Sequence, residues 1–81
     1  MWYLYILRCN DGSLYTGITT DTERRVKEHN GGKLGSKYVR SRLPAKLIYF
    51  ERCKSHQEAL RRELDVKSWR KERKLRLIEG L

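Results

Sequence analysis

Three short segments of the chain are rich in apolar, aromatic and β-branched residues, a composition typical of β-strands. In residues 2–9, WYLYILRC, one face would carry Trp2, Leu4 and Ile6 and the other Tyr3, Tyr5 and Leu7, and two apolar or aromatic faces predict a central strand. Residues 14–19, LYTGIT, have the same strand-forming composition, and the turn signal NDGS before them predicts a hairpin. Residues 46–53, KLIYFERC, read as a third strand, in which strict alternation would place Leu47 and Tyr49 on one face.

Helical patterns begin after the hairpin. Thr20 and Glu23 have capping-box spacing for a helix that runs to about Asn30, where the sequence Asn30-Gly31-Gly32 would end it. After a glycine-containing loop, residues 38–43 could form a short helix before the single proline.

A second capping box, Ser55 with Glu58, predicts a helix to roughly Trp69. The tail RKERKLRLIEGL reads as a final helix packed by Leu75 and Ile78. The whole chain, residues 1–81, is therefore expected to be one α+β domain. Its predicted core is a small three-stranded antiparallel or mixed sheet flanked by helices, in the order β-β-α-(short α)-β-α-α.

The charge of the chain indicates what it binds. A net charge of +9 on 81 residues favours a polyanionic partner such as DNA or RNA. The chain has no apolar run as long as a spanning helix and no basic segment before its apolar start, so we expect a cytoplasmic protein that binds no membrane. Cys9 and Cys53 do not form a CxxC pair, and we interpret them as reduced structural thiols.

One carboxylate falls inside the apolar arc of the helix that follows Ser55. Glu63 projects from the stripe that should face the core, which is costly for an unpaired carboxylate. Either it forms an i,i+4 ion pair with Lys67, or it lies at the floor of a cleft and binds a cation. The predicted arc comprises Ala59, Leu60, Leu64 and Val66.

The first helix carries Arg25 and His29 one turn apart, beside the inward residue Val26. They could be an exposed pair on a solvated helix, or a guanidinium that grips a phosphate beside an imidazole that moves a proton. Tyr5 and Tyr15 lie on the two arms of the hairpin. They could serve core packing and cross-strand contact, or they could take part in acid–base chemistry.

Taken together, these positions resemble the GIY-YIG nuclease domain. Tyr3-Leu4-Tyr5 matches its first motif, and Tyr15-Thr16-Gly17 matches its second. The family then has a helix that carries an arginine, which falls on Arg25, and four residues later a histidine or tyrosine, which falls on His29. A later helix of the family carries a glutamate, which falls on Glu63. The resemblance covers essentially the whole chain and looks closest to the small stand-alone members.

What the resemblance implies is phosphodiester hydrolysis by a metal-dependent endonuclease acting on DNA. Glu63 would hold one divalent cation, Mg²⁺ or Mn²⁺, and Arg25 would stabilise the charge that builds on the phosphate. Tyr5 or Tyr15 would position or deprotonate the attacking water, with His29 as the group that could accept its proton.

The chain departs from the family pattern at three places. Ile18 stands where the DNA-repair branch has a lysine, which shifts the expected general base towards His29 with Tyr5. The segment after Lys67 lacks the asparagine that often closes the site, and Tyr3 replaces the glycine of the first motif.

A second interpretation is a non-catalytic basic module that holds nucleic acid without cutting it, DNA being favoured over RNA. A partner protein could also supply specificity. Under either interpretation, seven basic residues are expected to contact phosphates: Lys37, Arg40, Arg42, Arg70, Lys71, Arg73 and Lys74.

Overall fold

A computed structural model describes residues 1–31 and 34–80 of the chain. It confirms the predicted α+β architecture and the order of its elements. The elements are β1 (Trp2–Arg8), β2 (Leu14–Thr19), α1 (Thr22–Gly31), α2 (Lys37–Arg40), β3 (Lys46–Cys53), α3 (His56–Lys67) and α4 (Lys71–Glu79).

The three strands form one antiparallel sheet in the order β2-β1-β3, so β1 is central as predicted. The hairpin between β1 and β2 closes at the expected turn, where the Cys9 N–H donates to the Ser13 carbonyl over 2.9 Å. Gly12 has a φ of +84° there, a left-handed conformation that glycine adopts without a steric penalty.

A bulge in β3 makes one sequence prediction wrong. Ile6 pairs with Tyr49 but Leu7 pairs with Leu47, so Ile48 is an extra residue on the β3 side. The extra residue reverses the alternation, and Leu47 and Tyr49 therefore point to opposite faces of the sheet.

Helices cover both faces of the sheet, and a small core lies under each layer. The core below α3 and α4 contains Leu4, Ile6, Cys53, Ala59 and Val66, and the core below α1 and α2 contains Tyr5, Leu7, Cys9, Val39 and Ala45. Alternate residues of β1 supply the two cores, which is why both of its faces are apolar.

The helix starts follow from their caps. The Ser55 Oγ accepts the Glu58 N–H over 3.1 Å, as predicted for α3. In α1 the cap is Asp21, whose Oδ1 accepts the Arg24 N–H over 3.1 Å, one residue later than the predicted Thr20. Gly32, part of the predicted end of α1, lies outside the described residues.

The other helix bounds differ from the predictions by a few residues. Helix α2 covers Lys37–Arg40 in place of 38–43, because Ser36 caps it one residue earlier. Helix α3 ends at Lys67, before the predicted Trp69. Within the described part of the chain, the structure has no helix with the length and apolar composition needed to cross a membrane.

The inward face of α3 is rotated from the predicted arc. Leu60 and Leu64 are 40% and 69% exposed, whereas Ala59 and Val66 are fully buried. The inward ridge therefore runs through positions 59, 63 and 66, spaced i, i+4 and i+7, and Glu63 belongs to it.

Candidate active site

A hydrogen bond between Tyr5 and His29 is the centre of the candidate site. The Tyr5 Oη lies 2.8 Å from the His29 Nε2, and the His29 side chain is completely buried. The other ring nitrogen, Nδ1, accepts the Ser36 backbone N–H over 3.2 Å. Because a backbone N–H can only donate, Nδ1 carries no proton, and the neutral ring donates its Nε2–H to Tyr5.

Burial keeps both groups neutral. It lowers the pKa of His29 to about 4, with a further contribution from the charge of Arg25. It also raises the pKa of Tyr5 to about 12, helped by Tyr15. At neutral pH the imidazole is therefore a donor to Tyr5, and the proton-acceptor role expected of His29 would first require a change of tautomer.

Gly17 leaves the space that the Tyr5 hydroxyl occupies. The two residues are direct cross-strand partners, and a Cβ at position 17 would lie 2.6 Å from the Tyr5 Oη. A side chain there would displace the phenol, so the strand glycine in the second motif is explained by close packing.

A second glycine brings Ser36 to the imidazole. A Cβ on Gly35 would lie 2.6 Å from the His29 Cα, so this segment passes directly against α1. The close approach places the Ser36 N–H where it fixes the tautomer of His29.

Arg25 lies beside this pair and is partly exposed. Its Nη1 donates to the Glu28 Oε1 over 3.0 Å and to the Leu34 carbonyl over 2.8 Å. Its charge and hydrogen bonding lower the pKa of Tyr5, although the effect of burial is larger. The same charge lowers the pKa of His29.

Tyr15 extends the cluster towards solvent. Its ring centroid lies 5.2 Å from that of His29 and 6.3 Å from that of Tyr5, and its other neighbour is the stacked ring of Tyr38 at 6.1 Å. A cleft of about 290 Å³ opens here, lined by Leu14, Tyr15, Thr16, Tyr38, Lys67 and Lys74.

Glu63 approaches the cluster from α3, and its side chain is only 17% exposed. Its Oε2 lies 3.6 Å from the Lys67 Nζ, which is the i,i+4 pair considered above. It is also close enough for its charge to raise the pKa of Tyr5. The carboxylate is thus ion-paired with Lys67 and close enough to Tyr5 to affect its pKa.

A single carboxylate at this position fits a Mg²⁺ or Mn²⁺ ion that substrate phosphates help to hold. Among residues 1–31 and 34–80, no group of three or more His, Cys, Asp and Glu side chains could enclose a metal ion. Mg²⁺ commonly keeps several waters and uses one or two carboxylates together with substrate phosphates, so Glu63 is a suitable protein ligand.

Lys67 is a residue that sequence reasoning did not place in the site. Its Nζ lies 5.9 Å from the centroid of the Tyr15 ring and faces Glu63. Ile18, by contrast, packs into the core below α3 and α4. The Lys67 ammonium therefore approaches Tyr15 from α3, and the i,i+4 spacing of Lys67 from Glu63 was the available sequence signal.

Some of the predicted phosphate-binding residues have structural partners. Arg42 donates from Nε to Asp11 over 3.1 Å and from Nη1 to the Tyr38 carbonyl over 2.8 Å, and it also stacks on the Tyr38 ring. Lys71 donates to the Gly12 carbonyl over 2.9 Å. These two side chains tie neighbouring segments to the hairpin turn.

The other five predicted phosphate-binding residues lie on an aromatic ring, in the cleft or on the exposed surface. Arg73 stacks on Trp69, 4.0 Å from the ring centroid, and Lys74 lines the cleft beside Tyr15. The other predicted contacts, Lys37, Arg40 and Arg70, are exposed.

Comparison with known proteins places this geometry in a family. The family model described as the GIY-YIG catalytic domain matches residues 1–76. A UPF0213 protein of Haloquadratum walsbyi is 52% identical over 77 residues, which cover 95% of this chain and 85% of the relative. A UPF0213 protein of Staphylococcus haemolyticus is 48% identical over 77 residues, covering 95% and 93%.

Two solved structures share the fold. The solution NMR structure of a UPF0213 protein from Bacillus halodurans matches with a TM-score of 0.61 and 46% identity, covering 98% of this chain and 84% of that one. A solution NMR structure from E. faecalis matches with a TM-score of 0.64 and 38% identity, covering 96% and 82%. The chain therefore belongs to the GIY-YIG catalytic-domain family and has small UPF0213 proteins as close homologues.

Proposed function

We propose that this protein is a metal-dependent endonuclease that hydrolyses phosphodiester bonds of DNA at the cluster around Tyr5. Membership of the GIY-YIG family supports a nuclease-type function in general. The observation that carries the proposal is the buried Tyr5–His29 hydrogen bond, packed over Gly17 and flanked by Arg25.

Tyr5 positions the attacking water. Because the imidazole N–H donates to the Tyr5 oxygen, the hydroxyl hydrogen of Tyr5 is left to point at a water or a phosphate oxygen. With its pKa raised to about 12, Tyr5 is a hydroxyl at neutral pH and holds the water by hydrogen bonding. The neighbouring Tyr15 borders the cleft through which that water would enter.

Arg25 binds the scissile phosphate. Both hydrogen bonds that hold its guanidinium to Glu28 and Leu34 use Nη1, which leaves its other donors for Tyr5 and for a phosphate. A guanidinium fixed in this way stabilises negative charge that develops on phosphoryl oxygens.

Glu63 is the protein ligand of a divalent cation, Mg²⁺ or Mn²⁺. When bound, such a cation polarises a phosphoryl oxygen and stabilises the leaving oxygen. Lys67 neutralises Glu63 at 3.6 Å in the absence of the cation. Displaced from Glu63, its ammonium would face phosphates in the cleft together with Lys74.

The test is cleavage of labelled single- and double-stranded DNA, and of RNA of the same sequence, with Mg²⁺ or Mn²⁺. Glu63→Gln removes the charge and keeps the shape, and Leu64→Ala at the adjacent, exposed position is the matched control. We expect cleavage of DNA by the wild type and by Leu64→Ala but not by Glu63→Gln. Cleavage that survives Glu63→Gln would remove Glu63 as the metal ligand, and no cleavage of any substrate would reject the proposed activity.

A second candidate function is binding without cleavage. It is favoured by the ion pair with Lys67, which already satisfies the Glu63 carboxylate, and by the net charge of +9. Under this hypothesis, DNA affinity falls steeply with salt and no metal ion produces cleavage.

A further inference from the structure

We propose that the sheet surface next to Tyr5 is a stacking platform for an unpaired base of DNA, formed by Tyr3 and Phe50. The exposed Arg52 beside them would hold an adjoining phosphate. This inference rests on the proposed function and specifies its substrate as DNA that has unpaired nucleotides at the cut.

The strand register places these side chains together. Phe50 is the direct partner of Tyr5, and Arg52 is the direct partner of Tyr3. Direct partners share a face, and residues two apart on one strand share a face, so all four side chains lie on one side of the sheet. The platform is therefore continuous with the candidate active site.

The helices leave this part of the sheet uncovered. Tyr5 is buried in the core below α1 and α2, whereas Phe50, its neighbour on the same face, is 54% exposed. The Tyr3 and Phe50 rings meet edge to face, with centroids 6.1 Å apart and planes at 72°. An edge-to-face pair holds the rings in a fixed arrangement and leaves aromatic surface open to solvent.

The chemistry around the platform suits a nucleobase. Aromatic rings on a sheet surface bind unpaired bases by stacking, and they accept any base because each has a π-face. Arg52 forms no hydrogen bond or ion pair with another described residue, so its charge remains for a phosphate. A second copy of the chain is a poorer occupant, because two chains of net charge +9 repel each other.

The position of Tyr3 supports the same conclusion. The first motif of the GIY-YIG family begins with a glycine, and this chain has Tyr3 at that position. A glycine has no ring to stack, so the platform is an addition to the shared site. Paired bases inside a duplex are covered by their neighbours on both sides, so within a DNA strand an unpaired base is the one that can reach the rings.

The test is DNA affinity measured by fluorescence anisotropy in EDTA at fixed salt, with a short single strand and the corresponding blunt duplex. Phe50→Val keeps a strand-forming residue but removes the ring, Phe50→Trp restores an aromatic ring, and Leu64→Ala is an exposed apolar control. We expect Phe50→Val to weaken single-strand binding about 5- to 150-fold, the range for loss of one stacked base. Duplex binding should stay unchanged, and Phe50→Trp should retain single-strand affinity.

A fluorescent base analogue in the single strand gives a second readout, because stacking on a ring quenches it. Quenching by the wild type and by Phe50→Trp, and its loss in Phe50→Val, would support the platform. Equal losses for duplex and single strand, or an equal loss in Leu64→Ala, would overturn it. Because neither measurement involves a metal ion or cleavage, failure of the nuclease proposal and failure of the platform are separate results.

Discussion

Two tyrosines on opposite faces of the sheet share a pKa of about 12 but differ in how their partners are arranged. Burial is the largest cause of the raised pKa for both Tyr5 and Tyr49. A perturbed pKa therefore does not by itself distinguish a candidate site from a structural cluster. The hydrogen bonds around each hydroxyl distinguish the two.

The cluster around Tyr49 is closed. Its hydroxyl donates to the Glu51 Oε1 over 2.6 Å, and Arg62 donates to both oxygens of that carboxylate, over 2.8 and 3.2 Å. The carboxylate is neutralised and the hydroxyl hydrogen is used, so this cluster has little left to offer a ligand.

The cluster around Tyr5 is open. The imidazole of His29 donates to the Tyr5 oxygen, and the guanidinium of Arg25 acts on the same oxygen as a donor, so neither neighbour uses the hydroxyl hydrogen. Its hydroxyl hydrogen and several donors of Arg25 remain for a substrate. Unused hydrogen-bonding capacity beside a cleft is therefore what separates the proposed active-site tyrosine from Tyr49.

The most direct test of the difference between the two clusters is to remove each hydroxyl. We expect Tyr5→Phe to lower the rate of DNA cleavage about 10²- to 10³-fold, the usual cost of removing one positioned hydrogen-bond donor from an active site. Tyr49→Phe, the matched control, should cleave at the wild-type rate. Single-turnover cleavage rates measure both, and equal losses in the two variants would contradict the distinction.

A second experiment moves Tyr5 without changing it. Gly17→Ala places a Cβ 2.6 Å from the Tyr5 Oη, so the phenol must leave His29. We expect a cleavage rate about 10²-fold lower, because small misplacements cost that much, and a free energy of unfolding lower by about 1–3 kcal/mol. Gly31→Ala, where the added Cβ meets nothing within 4 Å, should keep wild-type activity. Wild-type activity in Gly17→Ala would show that the Tyr5 position does not matter.

The sequence predicted most of the fold because the fold depends on local patterns. Alternation in residues 2–9 and the cap at Ser55 follow directly from residue type and spacing. The bulge at Ile48 could not be predicted, because an extra residue in a strand leaves no mark on composition. The rotated face of α3 was missed for a related reason, since helix periodicity cannot tell which of several apolar residues, such as Leu64, stays exposed.

The candidate site was likewise predictable only in part. Motif spacing indicated Tyr5 and His29, which the structure brings into contact. It could not indicate Ser36, because a backbone N–H belongs to every residue except proline and leaves no sequence signature. The resulting tautomer of His29 depends on that contact, so its donor role was inaccessible from sequence.

A third experiment uses the depressed pKa of His29, which falls from 6.5 to about 4 in the folded chain. Between these values the unfolded chain binds a proton that the folded chain does not, so the free energy of unfolding decreases as pH falls. We expect a slope that approaches about 1.4 kcal/mol per pH unit from this group. Denaturant unfolding across that range should show it in the wild type and in the exposed-site control His56→Gln, but not in His29→Tyr. The same slope in all three proteins would contradict the assignment.

The smallest effect is expected at the closed cluster. Glu51→Gln weakens the contacts to Tyr49 and Arg62 on a partly exposed surface, so the free energy of unfolding should fall by only about 1 kcal/mol. The cleavage rate should not change, because the cluster lies on the sheet face away from Tyr5. Denaturant unfolding and cleavage measured on one preparation test both statements. A loss of cleavage larger than the loss of stability explains would mean that the closed cluster takes part in catalysis, and that a satisfied set of hydrogen bonds is no guide to a structural role.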